Sequence, residues 1–335
     1  MLVGICGSVC AGKTKVAQYL VEHHGFERLH LVPAEAPGSR HGLATVDGAD
    51  LPPARNSSDA GSSASPSVFD DPEALLDHVT ARWQMRFVTT DLPDESVVDV
   101  YSRRPFFLLI SIDAPLTVRW RRFLRRQEEQ AHPACGDGDG DGAHVAERMS
   151  SLEEFVSYND GYLYDADRGI QAIMSRATVR LLNTSSSLAH LYATLGKLEL
   201  TDPERLRPGW DSYFMSLASL AAQRSNCMKR RVGCVLVGRG SRVISTGYNG
   251  TPRGLRNCNE GGCPRCNDGG CSSGAALSTC LCLHAEENAL LEAGRDRIRE
   301  GAVLYCDTCP CLTCSIKICQ VAISEVVYAH GYKRT

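Results

Sequence analysis

His284-Ala285-Glu286-Glu287-Asn288-Ala289 and, further along, Pro310-Cys311-Leu312-Thr313-Cys314 are the two stretches on which the reading of this 335-residue chain turns. Both read as the start of a helix. Two thiolates three residues apart at a helix N-terminus share one face, and the helix dipole helps to hold them deprotonated. With one imidazole they make three protein ligands. Zinc prefers four, so water can take the open position, as in a catalytic site. Glu286, two residues after the histidine, is placed to move protons instead of binding metal. These parts suit hydrolytic attack on an amidine-like ring carbon with loss of ammonia. A closed Cys/His staple with a purely structural role is the alternative.

Around these segments the pattern is αββαβαβ. Trp210 to Arg224 sets Phe214, Leu217, Leu220 and Ala221 at helical spacing. Val232 to Val237 and Val243 to Tyr248 read as paired strands with Gly238, Gly240 and Ser241 in the turn. A Gly- and Cys-rich loop follows to about Thr279, then a helix Ala285 to Ala293, a strand Ala302 to Cys306, a helix Leu312 to Ala322 and a strand Ser324 to Tyr328.

The pair H-x-E and P-C-x-x-C is the known signature of zinc nucleobase deaminases. Together with Arg231-Val232-Gly233 and Ile244-Ser245-Thr246-Gly247-Tyr248-Asn249-Gly250-Thr251-Pro252-Arg253-Gly254, it makes residues 210 to 332 resemble the deoxycytidylate (dCMP) deaminase family, in particular its fungal branch. The resemblance implies a cytidine-deaminase-like α/β/α fold with a mixed sheet and conversion of dCMP to dUMP, which would supply dUMP for thymidylate synthesis. It also implies a homo-oligomer, often a hexamer, activated by dCTP and inhibited by dTTP with magnesium. Carried over residue by residue, His284, Cys311 and Cys314 match the zinc ligands and Glu286 the proton shuttle. Asn249 matches an asparagine that contacts the nucleotide sugar; holding the turn before Gly250 is its other role. Arg224 and Ser225 are candidate partners for the 5′-phosphate, or simply exposed. The chain stops at Thr335, soon after the fourth strand, where the family usually continues, so effector response and oligomer geometry are less constrained than the zinc chemistry.

Sixteen cysteines in a chain with no secretory lead-in point to a reducing compartment, cytoplasmic or nuclear, where clustered thiols more often bind metal than cross-link. Eleven lie between Cys258 and Cys319. Cys258, Cys263, Cys266, Cys271, Cys280 and Cys282 remain once the catalytic set is assigned. Cys263-Pro264-Arg265-Cys266 has the gap of a zinc knuckle, and some members of the resembled family carry a structural zinc near this loop. Cys258, Cys263, Cys266 and Cys282 are the expected ligands of a second zinc; free thiols in an ordered loop are the alternative. Cys306 and Cys309 read as packing.

The N-terminal part has its own signal. Leu2 to Cys6 is a strand-like apolar run, and Gly7-Ser8-Val9-Cys10-Ala11-Gly12-Lys13-Thr14 fits the full P-loop pattern before a helix Lys13 to His23. Its N–H groups can cradle phosphates, Lys13 can reach the terminal phosphates and Thr14 can ligate magnesium. The region therefore resembles small P-loop nucleotide or nucleoside kinases, and an α/β domain over residues 1–200 is expected. Arg119, Arg121, Arg122, Arg125 and Arg126 read as a phosphate-facing lid or a solvated helix face. Asp91, Asp99 and Asp113 compete for the magnesium role. Catalysis, nucleotide sensing and a vestigial scaffold all remain open for this domain. A helix is expected near Pro72 to Gln84, strands at Arg86 to Thr90 and Phe106 to Ile112, helix from Ser151 to Leu198, and flexible insertions near 31–71 and 131–143. Asp137, Asp139 and Asp141 copy half of an EF-hand loop, but Arg148 stands where its glutamate belongs, so an acidic linker is the better reading.

The boundary is expected near Thr201 to Pro208, with the deaminase-like domain at 208–335. Those C-terminal residues hold 15 basic and 10 acidic side chains, leaving 21 and 29 upstream, so the halves carry +5 and −8. A net charge of −3 excludes a polybasic protein, and no run reaches the ~18–20 apolar residues of a membrane span. Two other functions compete: zinc deamination of a base in RNA or DNA, against which the scattered aromatics count, and a non-catalytic zinc- and nucleotide-binding assembly factor.

Overall fold

The computed structural model describes residues 1–32, 67–131, 149–166, 168–268 and 279–331, which form two compact units, Met1–Arg207 and Pro208–Thr335. Most of the expected insertions, the acidic Asp137–Asp141 run, Arg148 and Cys271 lie outside the described residues.

In the first unit the elements are β1 (Leu2–Gly7), α1 (Lys13–His24), β2 (Glu27–Leu31), β3 (Ser67–Phe69), α2 (Pro72–Ala81), β4 (Phe87–Thr89), α3 (Glu95–Ser102), β5 (Phe107–Asp113), α4 (Leu116–Ala131), α5 (Leu152–Tyr164), α6 (Gln171–Ser175), β6 (Val179–Leu182) and α7 (Leu188–Leu198). Six parallel strands run in the order β3-β2-β4-β1-β5-β6. β1 is buried along its whole length, sending Leu2 and Cys6 into one core and Val3 and Ile5 into the other. That is how a strand covered on both faces reads as an unbroken apolar run. Two segments depart from expectation. β6 sits inside the stretch read as helix, because Val179 and Leu181 alternate with exposed Arg180 and Leu182, a period of two that pairs with β5. β3 occupies the end of the segment read as a flexible insertion and adds an edge strand beside β2.

The second unit contains α8 (Trp210–Ala222), β7 (Gly233–Gly238), β8 (Arg242–Tyr248), α9 (Pro264–Asn267), α10 (Ala285–Ala293), β9 (Val303–Thr308), α11 (Leu312–Gln320) and β10 (Glu325–His330). The sheet order is β10-β9-β7-β8, with β9 and β10 parallel and β7 antiparallel to both its neighbours, so the sheet is mixed. Alternation along β7 builds two layers. Val235 and Val237 meet Phe214 and Ala218 of α8, while Cys234 and Leu236 meet Ala285 and Ala289 of α10 and Cys314 and Ile318 of α11.

Two glycines set how closely the helices lie on the sheet. A Cβ at Gly233 would fall on the Ala218 carbonyl oxygen of α8, and one at Gly247 on the Ala285 carbonyl oxygen of α10. The residues sit on opposite faces of adjacent strands, so each clears one helix. Gly247→Ala is expected to lower stability by about 1–3 kcal/mol in urea unfolding, the usual cost of overpacking, and to displace α10. Gly161→Ala, where a Cβ meets nothing within 4 Å, is the control and is expected to leave stability unchanged or raised.

Candidate metal and catalytic site

The N-termini of α10 and α11 bring the donors together. His284 caps α10, Cys311 caps α11, and Cys314 lies one turn into α11. The His284 Nδ1 is 3.4 Å from the Cys311 Sγ and 3.4 Å from the Cys314 Sγ, and the three atoms all lie within 4.8 Å of one another. A tetrahedral zinc with ordinary Zn–N and Zn–S bonds would separate such donors by about 3.5 Å. The Lys317 ammonium on α11 pairs with the Glu287 carboxylate on α10 at 2.5 Å, tying the two helices to each other beside the donors.

The electrostatics call for a cation. Burial works to raise the Cys311 thiol, but bonds from the Thr313 hydroxyl, at 3.1 Å, and the Cys314 backbone N–H outweigh it and hold the group below the ordinary cysteine range. Cys314 is pushed well above that range by burial and by the neighbouring Glu286 and Cys311 charges. Two sulfurs and a carboxyl thus crowd one buried point, an arrangement that a divalent ion stabilises and that is costly without one. One nitrogen and two sulfurs suit zinc in kind, number and spacing.

Glu286 is 4% exposed. Burial pushes its carboxyl above the ordinary glutamate range, against smaller opposing pulls from its own backbone N–H, His284, Cys314 and Arg230. A carboxyl held closer to neutrality can both accept and return a proton.

Asn249 is engaged at both ends. Its Oδ1 accepts from the Ala285 N–H at 2.8 Å, and its Nδ2 donates to the Arg230 carbonyl at 3.2 Å. Ala285 lies between His284 and Glu286, so this buried amide fixes the first turn of α10. The Ser225 hydroxyl donates to the Asn249 carbonyl at 2.8 Å and is thereby a brace for the same loop, whereas Arg224 is exposed. Sequence reasoning passed over two residues here. Arg230 is close enough to Glu286 to act on its carboxyl and donates to Thr308 at 3.4 Å. The Thr251 hydroxyl is buried without a hydrogen-bond partner among the described residues. Nothing in the local spacing marks Arg230, which comes near Glu286 through the fold of the chain.

The cysteines expected to hold a second metal do not form one set. The structure gathers Cys227, Cys258, Cys266 and Cys282 in one group and Cys263, Cys266, Cys280 and Cys282 in another. Cys258 and Cys263 thus fall on different sides. Cys227 was missed because it lies 31 residues before Cys258, in the segment between α8 and β7. Cys306 is buried opposite Cys234, as packing requires.

In the first unit the loop between β1 and α1 places the Lys13 ammonium 3.0 Å from the Gly7 carbonyl, with Gly12 left-handed at φ 109. Arg122 is neither lid nor solvated face: it donates to the Cys10 and Ala11 carbonyls, at 3.3 and 3.1 Å, and to the Ser185 carbonyl at 3.0 Å, bracing the loop. Arg119 is buried against Asn159 and the Ala114 carbonyl. Asp113, at the end of β5, accepts from the Ser8 hydroxyl, and Asp91 holds His30 and the Leu31 N–H. Asp99 does not follow a strand; it lies on α3 in an ion pair with Arg176.

Residues 208–330 match the zinc-binding region of cytidine and deoxycytidylate deaminases. A deoxycytidylate deaminase of Schizosaccharomyces pombe is 44% identical over 330 residues, covering 98% of this chain and 90% of its own. One of Saccharomyces cerevisiae is 41% identical over 343 residues, covering 99% and 90%. A third, from Mycobacterium phage D29, is 44% identical over 128 residues, which are 36% of this chain but 95% of its own. Both yeast alignments run through the first unit as well as the second. Among the described residues no helix is long and apolar enough to cross a membrane.

Asn249→Ala is expected to cost about 1–3 kcal/mol in urea unfolding, since it leaves the buried Ala285 N–H without an acceptor.

Proposed function

Because the chain belongs to the deoxycytidylate deaminase family, we propose that its substrate is dCMP and its products dUMP and ammonia. The activity itself is hydrolytic deamination of a cytidine or deoxycytidine nucleotide by a zinc-binding deaminase domain. The observation that carries the reading is the convergence of the His284 Nδ1, Cys311 Sγ and Cys314 Sγ beside a buried Glu286.

In this reading His284, Cys311 and Cys314 hold zinc, which when bound supplies an activated water at neutral pH. Glu286 takes one proton of the attacking water and delivers it to the ring nitrogen, then takes the remaining proton of the added oxygen and carries it to the departing amine, which leaves as ammonia while the carbonyl forms. The carboxyl sits where it can serve both transfers, and its displacement toward neutrality suits a group that must load and unload once per turnover. Asn249 and Lys317 keep the ligand helices in register. The Thr251 hydroxyl and Arg230 are offered to the nucleotide. Activation by dCTP, inhibition by dTTP and homo-oligomer formation are proposed from the family resemblance.

The first unit is proposed to bind a nucleoside triphosphate through Gly7, Gly12, Lys13 and Thr14. The buried Lys13 ammonium at the carboxyl ends of β1, β4 and β5 supports it, for ligands of open α/β sheets bind at that edge. Asp113, beside Ser8, is the better placed of the candidate carboxylates for magnesium.

Purified protein assayed for ammonia release is expected to turn over dCMP in preference to CMP and deoxycytidine, and to leave single-stranded oligonucleotides untouched; release from the oligonucleotides alone would replace the substrate. Glu286→Gln is expected to lower kcat ~10²- to 10⁴-fold with zinc content unchanged, while Cys311→Ala loses turnover together with the zinc of this site. An unaltered rate in Glu286→Gln would point to the assembly-factor reading. Separately, Lys13→Ala is expected to abolish binding of a fluorescent nucleoside triphosphate, read by anisotropy, without changing zinc content.

A further inference from the structure

Outside the catalytic centre, the structure contains a buried core cluster made of sulfur alone. Cys258, Cys263, Cys266 and Cys282 are buried together, and the apolar partners packed on them are Cys227 and Cys280. Among the described residues, no aliphatic or aromatic side chain belongs to it. The segments it joins are rich in glycine, asparagine and turns and are tied mainly by polar contacts such as those of Asn267 to the Cys258 and Cys263 carbonyls, a situation in which small folds rely on metal or disulfides. Disulfides are not the answer: the separations are 3.9 Å for Cys227–Cys266, 3.7 Å for Cys266–Cys280, 3.9 Å for Cys263–Cys280 and 4.0 Å for Cys266–Cys282, against about 2.05 Å for a bonded pair.

Those spacings are tetrahedron edges. Four sulfurs around zinc at about 2.3 Å stand about 3.8 Å apart. Two complete four-sulfur sets are present, and they share Cys266 and Cys282. We propose that Cys227, Cys258, Cys263, Cys266, Cys280 and Cys282 hold two zinc ions in one binuclear cluster, with Cys266 and Cys282 bridging. Cys227 and Cys258 complete the first tetrahedron, Cys263 and Cys280 the second. A single ion in either set would leave two of the six thiols unused in a sulfur-only pocket. Two ions use all six.

Charge and hydrogen bonding agree. Six thiolates and two divalent ions leave two negative charges, and donors surround the outer sulfurs. The Met228 N–H faces Cys258 at 3.4 Å, the Leu281 N–H faces Cys263 at 3.4 Å, the Asn267 amide faces Cys258 at 3.7 Å and the Arg265 guanidinium faces Cys280 at 3.6 Å. Such outer donors are what thiolate–metal sites use to orient and neutralise their ligands. All three zinc ions would be structural or catalytic residents of the second unit, and the cluster deepens the reading above by tying the catalytic ligand to a metal-organised loop. Cys282 precedes His284 by two residues, and between them Leu283 exchanges two backbone hydrogen bonds with Gly250, next to Asn249.

Metal counting on the full chain by plasma mass spectrometry is expected to give three zinc ions per chain, one for each donor group. Cys311→Ala is expected to keep two. Two in the unsubstituted protein and one in Cys311→Ala would mean a single ion among the six cysteines and would overturn the proposal. Two in both would sustain the cluster and sink the catalytic zinc instead, so the failures are distinguishable. Because removing a bridging cysteine can unfold the loop, the bridge is read without substitution. In protein loaded with ¹¹³Cd, the β-protons of Cys266 and Cys282 are expected to correlate with two cadmium resonances each and those of the four outer cysteines with one. Correlation of Cys266 with a single resonance would exclude the shared edge.

Discussion

The second unit depends on the approach of two helix N-termini to a common point. His284 and Cys311 each stand at the cap of a helix, where backbone N–H groups have no partner within the helix and the dipole favours negative charge. Aimed at one another without an ion, these caps and their sulfurs would make a poor contact. With a divalent cation the same arrangement becomes favourable, and every nearby feature serves to hold it. Gly247 lets α10 lie close on β8, Asn249 fixes the first turn of that helix, and the Glu287–Lys317 pair keeps α11 from rotating away.

The division of labour between Glu286 and the sulfurs follows from position. On α10 the cap residue and the second helical residue are separated by about 200° around the axis, so His284 and Glu286 do not compete for one ligand site. The glutamate instead lies along the edge of the site, where burial raises its carboxyl against opposing pulls from its own backbone N–H, His284, Cys314 and Arg230. A carboxylate that bound the metal directly would be locked in one protonation state. Glu286 is buried enough to be perturbed and far enough from ligation to titrate.

Much of this was legible in the chain. The capping positions of His284 and Cys311, the period-two alternation of β7 and the parallel strand β1 all follow from local pattern, because local physics decides them. Other features were not legible for equally physical reasons. Asn249 reads as a sugar contact or a turn former, whereas its bond to Ala285 spans 36 positions. Arg122 sits in a run of arginines that reads as a lid or a solvated face; only the packing of α4 against the loop between β1 and α1 turns it inward, as packing also buries Arg119. β6 is four residues long inside a helical neighbourhood, and its strand character comes from the edge of β5 that it completes. Cys227 has no cysteine close by in sequence, so ligand spacing cannot reveal it.

The proposed six-cysteine cluster and the His284–Cys311–Cys314 donors would set the same ion in an inert surrounding and in a reactive one. Four thiolates close a tetrahedron and leave no room for water, and their charge quenches the ion's acidity. Three donors, one of them a neutral imidazole, leave both a free corner and residual positive charge. The chain places these two kinds of site two residues apart, at Cys282 and His284. Leu283, the one residue between them in sequence, is pinned to Gly250 by two backbone hydrogen bonds. The closed site contributes rigidity at the place where the open one needs its imidazole held still.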